Sequence, residues 1–311
     1  MNEPIASGLL PTGSEVPFAQ IEATLARLVR DDAGRQRPAR ALMGTVVVIG
    51  SLERLTDAAA ALEQISALFG MRAILISEGT QSSPMARVTE TSVAIAGLAP
   101  RYLDNAVAAL RLSSLPAVVW WRGGSTDALH ELADLADRLI LDAPEPDEAW
   151  SLASDLFEHT ALTDLRWAAL TRWRAALAHL FDVPQVREGA SAVSRLQIEA
   201  KDVPAARLFA GWLQSSLRWK PSVPIVIREV ASDAPTPLVC VTLTGSIASL
   251  TLAVKPKGTC LEAEVDLVEA GTRVVPLGDG HLASLISEEL GVRTRDLAFE
   301  RALVAAREIG P

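Results

Sequence analysis

The residues with the clearest potential for chemistry lie where a strand-like run meets a helical one, in the stretch Trp120-Trp121-Arg122-Gly123-Gly124-Ser125-Thr126-Asp127. The two glycines would let backbone N–H groups turn toward an anion, and Arg122 would add a positive charge beside it. A sugar phosphate held by residues Arg122 to Thr126 is the ligand that this arrangement suggests. Asp127 opposes that interpretation, because a carboxylate in the first helical turn competes for the same helix dipole. A capped helix start without any ligand also stays open.

The same loop could instead contact another protein. Trp and Arg are over-represented among the residues that dominate binding energy at protein interfaces. Adjacent residues of a strand point to opposite faces of the sheet, so the two tryptophans cannot share one environment. We expect one tryptophan in the core and the other packed under a crossing helix. In the alternative, a contact with a partner protein, Arg122 and one of the tryptophans would be exposed. The candidate partner-binding residues are Trp120, Trp121, Arg122, Gly123 and Gly124.

A second group of tryptophans lies in a segment that predicts one long amphipathic helix over residues 163–181, with Thr163 or Asp164 as its N-cap. Large apolar residues recur there at steps of three and four, which places them on one helix face. We expect this face to pack between two domains; an exposed protein-binding groove is the alternative. The packing residues are Trp167, Leu170, Trp173 and Leu177.

The usual signatures of catalytic, cofactor and metal sites do not occur in the sequence. The first strand ends at Gly50 with a single glycine, where a dinucleotide site needs several, so a plain strand-to-helix turn is expected. Neither a phosphate-binding loop nor a nucleophile elbow is found. The four histidines have no second His or Cys at metal-ligand spacing. We therefore predict no catalytic, cofactor-binding or metal-binding residues, and a protein that is not an enzyme.

The positions of the two cysteines, Cys240 and Cys260, decide whether the chain could form a disulfide. Turn signals place Cys240 near Thr251 and Cys260 near Ala253 or Val254, on strands separated by one other strand. Two strand spacings amount to roughly 10 Å, which is too wide for a disulfide. We expect two free thiols.

Composition excludes several classes of protein. The chain has 311 residues, a formal net charge of −9, 49% hydrophobic residues and 22% charged residues, as in an ordinary globular protein. No basic stretch suggests nucleic-acid binding. No apolar run approaches the roughly 18 residues of a membrane span. The N-terminus has neither the basic start nor the apolar core of a secretion signal, so we expect a cytoplasmic protein.

Residues 1–160 predict an α/β domain with a mostly parallel sheet. Short strands that are apolar throughout alternate with helical segments, which is typical of a sheet buried on both faces. A helix is expected at residues 17–30, a loop at 31–40 and an exposed loop at 80–87. The expected strands are residues 45–49, 72–76, 92–96, 117–121 and 138–141.

Residues 161–311 predict an α+β domain with an antiparallel meander and flanking helices. A strand at 195–199 and a helix at 204–219 come first. Runs that alternate apolar and polar residues follow, separated by turn signals such as Gly245-Ser246 and Pro256-Lys257-Gly258. The first of these runs is residues 223–230. Two helices are expected at residues 281–290 and 294–309.

Several segments, in consistent order, resemble the glucose-6-phosphate dehydrogenase assembly proteins known as the OpcA family. The most specific are Leu115-Pro116-Ala117-Val118-Val119-Trp120-Trp121 and the pair Asp164-Leu165-Arg166-Trp167 and Trp173-Arg174. Ala210-Gly211-Trp212-Leu213 and the strand from Met43 to Val48 add to them. The resemblance covers most of the chain.

The resemblance implies a non-catalytic cytoplasmic assembly factor or allosteric activator of glucose-6-phosphate dehydrogenase, in the oxidative pentose phosphate pathway. It implies this dehydrogenase as partner and no cofactor. Two other functions stay open: an enzyme or sensor that binds a sugar phosphate at Arg122 to Thr126, and a structural oligomer component without a ligand. The oligomeric state is not predicted.

Overall fold

The computed structural model describes residues 6–34, 42–66, 68–80, 84–189, 192–219, 223–245, 249–254, 259–265, 273–292 and 294–310. Two compact units divide the chain. The first comprises Met1–Leu162 and Leu290–Thr294, and the second comprises Thr163–Glu289 and Arg295–Pro311. That 1–160 and 161–311 are separate domains stays a prediction.

The first unit alternates strands and helices, as its sequence predicts. The helices are α1 (Ala6–Leu9), α2 (Ile21–Gly34), α3 (Leu52–Ile65), α4 (Leu103–Leu110), α5 (Leu129–Leu135), α6 (Asp147–Ser151) and α7 (Ala153–His159). The strands are β1 (Ser14–Pro17), β2 (Gly44–Gly50), β3 (Met71–Glu78), β4 (Met85–Val88), β5 (Ser92–Leu98), β6 (Ala117–Trp121), β7 (Arg138–Leu141) and β8 (Ala161–Asp164).

Eight strands of the described residues form one mixed sheet in the order β1-β4-β5-β3-β2-β6-β7-β8. Strands β5, β3, β2, β6 and β7 pair in parallel. Every residue of β2, β6 and β7 is buried, which explains why these strands read as continuous apolar runs. The prediction of an α/β fold with a mostly parallel sheet is confirmed for this part of the chain.

Two loop predictions for the first unit are wrong in part. An exposed loop is expected at residues 80–87, of which 81–83 lie outside the described residues, but Met85–Val88 forms β4, which pairs antiparallel with β5 and with β1. Ala86 and Val88 are buried and alternate with half-buried residues. Four residues are too short a run for this alternation to stand out in the sequence. The predicted helix at 17–30 begins later, at Ile21, and continues to Gly34, so residues 31–34 of the expected loop are helical. Residues 35–40 of that loop lie outside the described residues.

The second unit contains one sheet and several helices. The strands are β9 (Val193–Ala200), β10 (Ile225–Glu229), β11 (Leu238–Gly245), β12 (Ser249–Val254), β13 (Cys260–Val265) and β14 (Arg273–Pro276). The helices are α8 (Leu165–Ala169), α9 (Thr171–Leu180), α10 (Pro184–Gly189), α11 (Val203–Leu217), α12 (Leu282–Gly291) and α13 (Leu297–Glu308). Two elements cross the boundary, because the last two residues of α12 belong to the first unit and the last two of β8 belong to the second.

The meander of the second unit is antiparallel from β11 through β14, as predicted. Strand β10 departs from the prediction, because it pairs in parallel with β9 at the edge of the sheet. The intervening helix α11 explains this: a strand, a crossover helix and a second strand give parallel neighbours. The predicted turn at Pro256-Lys257-Gly258 lies outside the described residues.

The long helix expected over residues 163–181 is two helices, α8 and α9. Thr163 and Asp164 belong to β8, and the Asp164 side chain caps α8 by accepting from the N–H of Arg166. The two helices meet at Leu170, whose φ of −89° and ψ of −4° leave the regular helical range. Asp164 is therefore the N-cap that the sequence predicts, at the start of a shorter helix.

The cysteines are free, as predicted, and β12 lies between their strands. Cys240 lies opposite Ala253 rather than Thr251, because Thr244 pairs with Ser249 and the connection is longer than the predicted two-residue turn. Burial and the nearby Glu199 raise the pKa of the Cys240 thiol, while the hydroxyl of Thr242 opposes the shift.

Helices α11 and α13 approach each other most closely at Gly211. A Cβ atom added there would lie 2.3 Å from the carbonyl oxygen of Ala302 and 2.7 Å from the amide nitrogen of Ala306. Both atoms belong to the backbone of α13, so no side-chain rotation could make room. A hydrogen bond links the same two helices: Arg207 donates from Nε to the carbonyl oxygen of Ala306 at 3.3 Å.

Gly211→Ala should therefore lower the free energy of unfolding by about 2 kcal/mol, within the range for overpacked cores. Gly291→Ala is the matched control, because nothing lies within 4 Å of the added Cβ and its φ is ordinary. Its effect should stay within about 0.5 kcal/mol. Urea unfolding of both variants gives the comparison, and equal effects would contradict the close approach of the two helices.

Candidate functional site

The candidate site lies where the strand order of the first sheet reverses. The chain moves from β2 to β3 on one side and returns to β6 on the other side of β2. In open α/β sheets, ligands bind in the crevice outside the carboxyl ends of the strands at such a point. The loop that begins at Arg122 directly follows β6, so the sequence prediction and the topology indicate the same place.

Both tryptophans before this loop are buried, which agrees with the expectation that both are packed, and the alternative in which one is exposed is wrong. Trp120 is 0% exposed and Trp121 is 3% exposed. Trp120 donates from Nε1 to Oδ2 of Asp142 at 3.2 Å. Trp121 Nε1 is buried and has no hydrogen-bond partner in the part of the chain that the structure describes. A role for these tryptophans in partner binding stays a prediction.

Arg122 is also buried, at 5% exposure, which corrects the expectation of a solvated side chain. Its Nε donates to Oδ2 of Asp142 at 2.7 Å, and its Nη1 donates to the carbonyl oxygen of Arg54. The guanidinium carbon lies 4.8 Å from the centre of the Trp120 ring. Arg54 binds the other oxygen of Asp142 at 3.2 Å. We refer to Arg54, Trp120, Arg122 and Asp142 as the Arg122 cluster.

Sheet register brings this cluster together. Trp121 pairs with Leu141, so the next residues of the two strands, Arg122 and Asp142, emerge side by side. The amide of Asp142 donates to the carbonyl of Trp121 at 2.8 Å, and that of Arg122 donates to the carbonyl of Ile49 at 2.7 Å. Asp142 is not among the candidate residues that the sequence indicates. The missed signal is a charged residue immediately after an apolar parallel strand.

The carboxylate of Glu78, the last residue of β3, lies against the glycine loop formed by Gly123, Gly124 and Ser125. Its carboxylate accepts from the Ser125 amide at 2.9 Å and 3.2 Å. Gly123 and Gly124 adopt φ of 108° and 123°, and a Cβ on Gly124 would lie 2.6 Å from Oε1 of Glu78. The missing side chain of Gly124 thus lets an anion approach the loop, and the amide of Ser125 binds it. The anion is a side chain of the same unit. Binding of an external anion by this loop stays a prediction.

The pKa of Glu78 is raised by its burial, with a further contribution from the charge of Asp127. The hydrogen bond from Ser125 opposes this shift without cancelling it. A second carboxylate, that of Glu148, accepts from the hydroxyl of Thr126 at 2.5 Å. The loop thus faces acidic groups on two sides, which is unfavourable for a phosphorylated ligand.

The turn after β2 contributes no open anion site. A Cβ on Gly50 would lie 3.1 Å from Cβ of Arg122, so the single glycine of this turn accommodates the buried arginine. Among the described residues, no group of three His, Cys, Asp or Glu side chains could hold a metal ion. In the same part of the chain, no helix is long and apolar enough to cross a bilayer.

The second unit carries a different cluster, in which three aspartates cap three helices. Asp164 caps α8, Asp202 caps α11 by accepting from the Ala205 amide, and Asp296 caps α13 by accepting from two amides. Arg166 donates from Nε to both oxygens of Asp202, at 3.0 Å and 3.1 Å, and lies 3.5 Å from Asp164. Trp167 donates to Oδ2 of Asp296 at 2.8 Å. These five residues form the capping network.

The packing residues predicted between domains are buried, at 3% exposure for Trp167 and 0% for Leu170, Trp173 and Leu177. The ring of Trp167 contacts Phe299, while Trp173 contacts Phe209 and donates to Thr236 at 2.6 Å. These partners lie within the second unit, where both tryptophans are part of the core. That the four residues pack between domains stays a prediction.

Arg174 belongs, with Trp173, to the segments that resemble the OpcA family, and it packs against Trp167. Its guanidinium carbon lies 3.4 Å from the centre of the Trp167 ring, and its Nη2 donates to the Trp167 carbonyl at 3.2 Å. Burial lowers the pKa of Arg174 to about 10, and the charges of Asp296, Glu288 and Glu289 oppose the shift. The residues Asp164, Arg166, Trp167, Trp173 and Arg174 thus act together in building the second unit.

Arg122→Ala should lower the free energy of unfolding by about 3 kcal/mol, because it leaves a largely buried Asp142 carboxylate with one cation fewer. Arg228→Ala is the matched control: Arg228 lies 3.4 Å from Glu199, and both side chains are exposed. Its effect should stay within about 0.5 kcal/mol. A stable Arg122→Ala variant would show that the cluster contributes little to the fold.

The raised pKa of Glu78 predicts a pH dependence. The folded state binds the proton more tightly than the unfolded chain, so Glu78 favours folding increasingly as pH falls through its raised pKa toward the ordinary 4.5. Between pH 7 and this range, the natural chain should gain stability relative to Glu78→Gln. Urea unfolding at a series of pH values measures the difference. A difference that moves in the other direction would show that the Ser125 hydrogen bond outweighs burial.

Residues 160–303 match a family model that describes the carboxyl-terminal domain of a glucose-6-phosphate dehydrogenase subunit. Two curated relatives share the name putative OxPP cycle protein OpcA. The protein of Synechococcus elongatus is 32% identical over 124 residues, which is 37% of this chain and 28% of the relative. That of Nostoc punctiforme is 32% identical over 128 residues, which is 38% of this chain and 28% of the relative. The match thus spans little more than a quarter of the length of these relatives.

Solved structures give a weaker comparison. A super-repressor mutant of Gal80p from Saccharomyces cerevisiae has a TM-score of 0.46 at 10% identity, covering 86% of this chain and 94% of that one. An oxidoreductase from Sinorhizobium meliloti has a TM-score of 0.47 at 11% identity, covering 85% and 86%. Such scores support no functional argument. The sequence matches are the informative comparison, and they show that residues 160–303 are similar to this carboxyl-terminal domain and that part of the chain is similar to two proteins named OpcA.

Proposed function

We propose that this chain is a non-catalytic protein that promotes the assembly or the allosteric activation of glucose-6-phosphate dehydrogenase. The description of the matched family names that dehydrogenase, and the curated relatives are named for the OxPP cycle. The proposal keeps the cytoplasmic location expected from the sequence. It gives the chain a protein partner and no cofactor of its own.

The observation that carries the non-catalytic part is the filled crevice of the first unit. A doubly wound sheet would hold a nucleotide outside β2 and β6. There the Arg122 side chain is tied to Asp142 and to the backbone of Arg54, and Glu78 takes the Ser125 amide. A bound pyrophosphate would have to displace both side chains and would then lie near the carboxylates of Asp142 and Glu78. This arrangement favours a structural role for the crevice over hydride transfer.

The alternative function, binding of a sugar phosphate at Arg122 to Thr126, has less support. Arg122 is already paired, and Glu78 and Glu148 both bind groups of that loop. A phosphate would enter a site with two acidic neighbours, while the arginine has its own counter-ion. The alternative would require the Arg122 cluster to open.

Enzyme assays separate these functions. The chain alone should not reduce NADP in the presence of glucose 6-phosphate. Added in excess to the dehydrogenase of the same organism, it should raise kcat/KM by about fivefold or more, the lower end of typical allosteric coupling, or change the oligomeric state. NADP reduction by the chain alone would contradict the proposal, and so would a dehydrogenase with unchanged rate and unchanged assembly.

Two surface variants locate the activity. Leu297 is 62% exposed within the family-matched segment, and Val29 is 52% exposed outside it. Because both side chains are exposed, Leu297→Asp and Val29→Asp should melt like the natural chain. If the matched segment carries the contact, Leu297→Asp should reduce activation and Val29→Asp should leave it unchanged. The reverse result would assign the contact to the first unit.

A further inference from the structure

The first unit contains a cavity of about 540 Å³ that is separate from the Arg122 cluster. It lies between α3, the segment of residues 8–12 and the amino-terminal part of β3. No member of the Arg122 cluster lines it. Its volume is within the range of sites that hold small molecules, about 300–1,000 Å³. Well-packed interiors rarely leave a space of this size.

The larger side chains of the cavity wall are apolar. Side chains from all three bordering segments contribute, and the larger ones include Leu10, Leu42, Leu62, Ile65, Phe69 and Met71. Leu10, Phe69 and Met71 are half-buried, so the cavity is open to entry from solvent. Phenylalanine and methionine at its edge can adjust to the shape of a guest, since thioethers and rings pack adaptably.

The polar groups of the wall restrict the charge of a guest. The described lining includes the hydroxyls of Thr56, Ser66 and Thr91, which could each bind an oxygen or nitrogen atom. Glu63 is the charged residue among the described residues that line the cavity. An anionic guest would lose part of its hydration near the exposed carboxylate of Glu63, with no cation among these lining residues to compensate.

From this volume, lining and charge, we propose that the cavity binds an uncharged, mainly apolar small molecule that carries one or two hydrogen-bonding groups. The site is independent of the proposed partner function, because it involves other residues and needs no dehydrogenase. It is selective against anionic amphiphiles of the same shape.

Two related fluorescent probes test this directly on the full chain. N-phenyl-1-naphthylamine is uncharged, and 1-anilinonaphthalene-8-sulfonate carries the same ring system with a sulfonate. The uncharged probe should bind in a 1:1 complex, and the sulfonate should bind about tenfold or more weakly. Glu63→Gln should reduce that difference to about threefold or less, because it removes the repelling charge and leaves the shape unchanged.

Variants that place a larger side chain in the cavity, called filling variants below, show whether the probe enters it. Ala59 lines it from α3, so Ala59→Phe should weaken binding of the uncharged probe about tenfold. Gln64→Phe, on the same helix but outside the lining, is the matched control and should leave binding unchanged. If Ala59→Phe melts early, Ala60→Phe replaces it, because Ala60 also lines the cavity and is exposed.

Three results would overturn the proposal. The first is no binding of the uncharged probe up to its solubility limit. The second is equal affinity for the two probes in the natural chain. The third is an unchanged affinity in a folded filling variant.

Discussion

The second unit depends on three aspartates that cap helices and on two neighbouring residues that bind those aspartates. A helix N-terminus leaves backbone N–H groups without partners, and a short carboxylate side chain satisfies them. Because Arg166 and Trp167 are adjacent in α8, they fix the starts of α11 and α13 through Asp202 and Asp296. Removal of either side chain would leave a capping carboxylate with one partner fewer, which is costly for a buried or half-buried group.

In the first unit, charged side chains at the carboxyl ends of the parallel strands also have partners within the unit. They lie at the ends of β3, β6 and β7, where a doubly wound sheet usually exposes a ligand crevice. Here Arg122 forms an ion pair with Asp142, and Glu78 accepts a hydrogen bond from the Ser125 amide of the glycine loop. The consequence for function is that these residues already have partners within the unit. An activity that works through the outer surface of the protein is consistent with this arrangement.

Local patterns were enough to predict much of the fold. The buried strands β2, β3, β6 and β7 are apolar runs between helical segments, and Asp164 is a recognisable N-cap. The features that were missed depend on distant partners. Strand β4 is four residues long and forms only against β1 and β5, and β10 is parallel because α11 crosses over. The burial of Arg122 depends on Asp142, twenty residues away, which only the sheet register brings beside it.

Direct binding tests the central claim, that this chain acts as a partner of glucose-6-phosphate dehydrogenase, more simply than any activity does. Sedimentation velocity of the labelled chain, titrated with the dehydrogenase of the same organism and without substrate, measures association and assembly together. The account predicts that the label moves with the dehydrogenase, or that the dehydrogenase changes its oligomeric state. If the two proteins sediment independently at concentrations up to about 100 μM, far above the Kd of a specific complex, the claim is wrong.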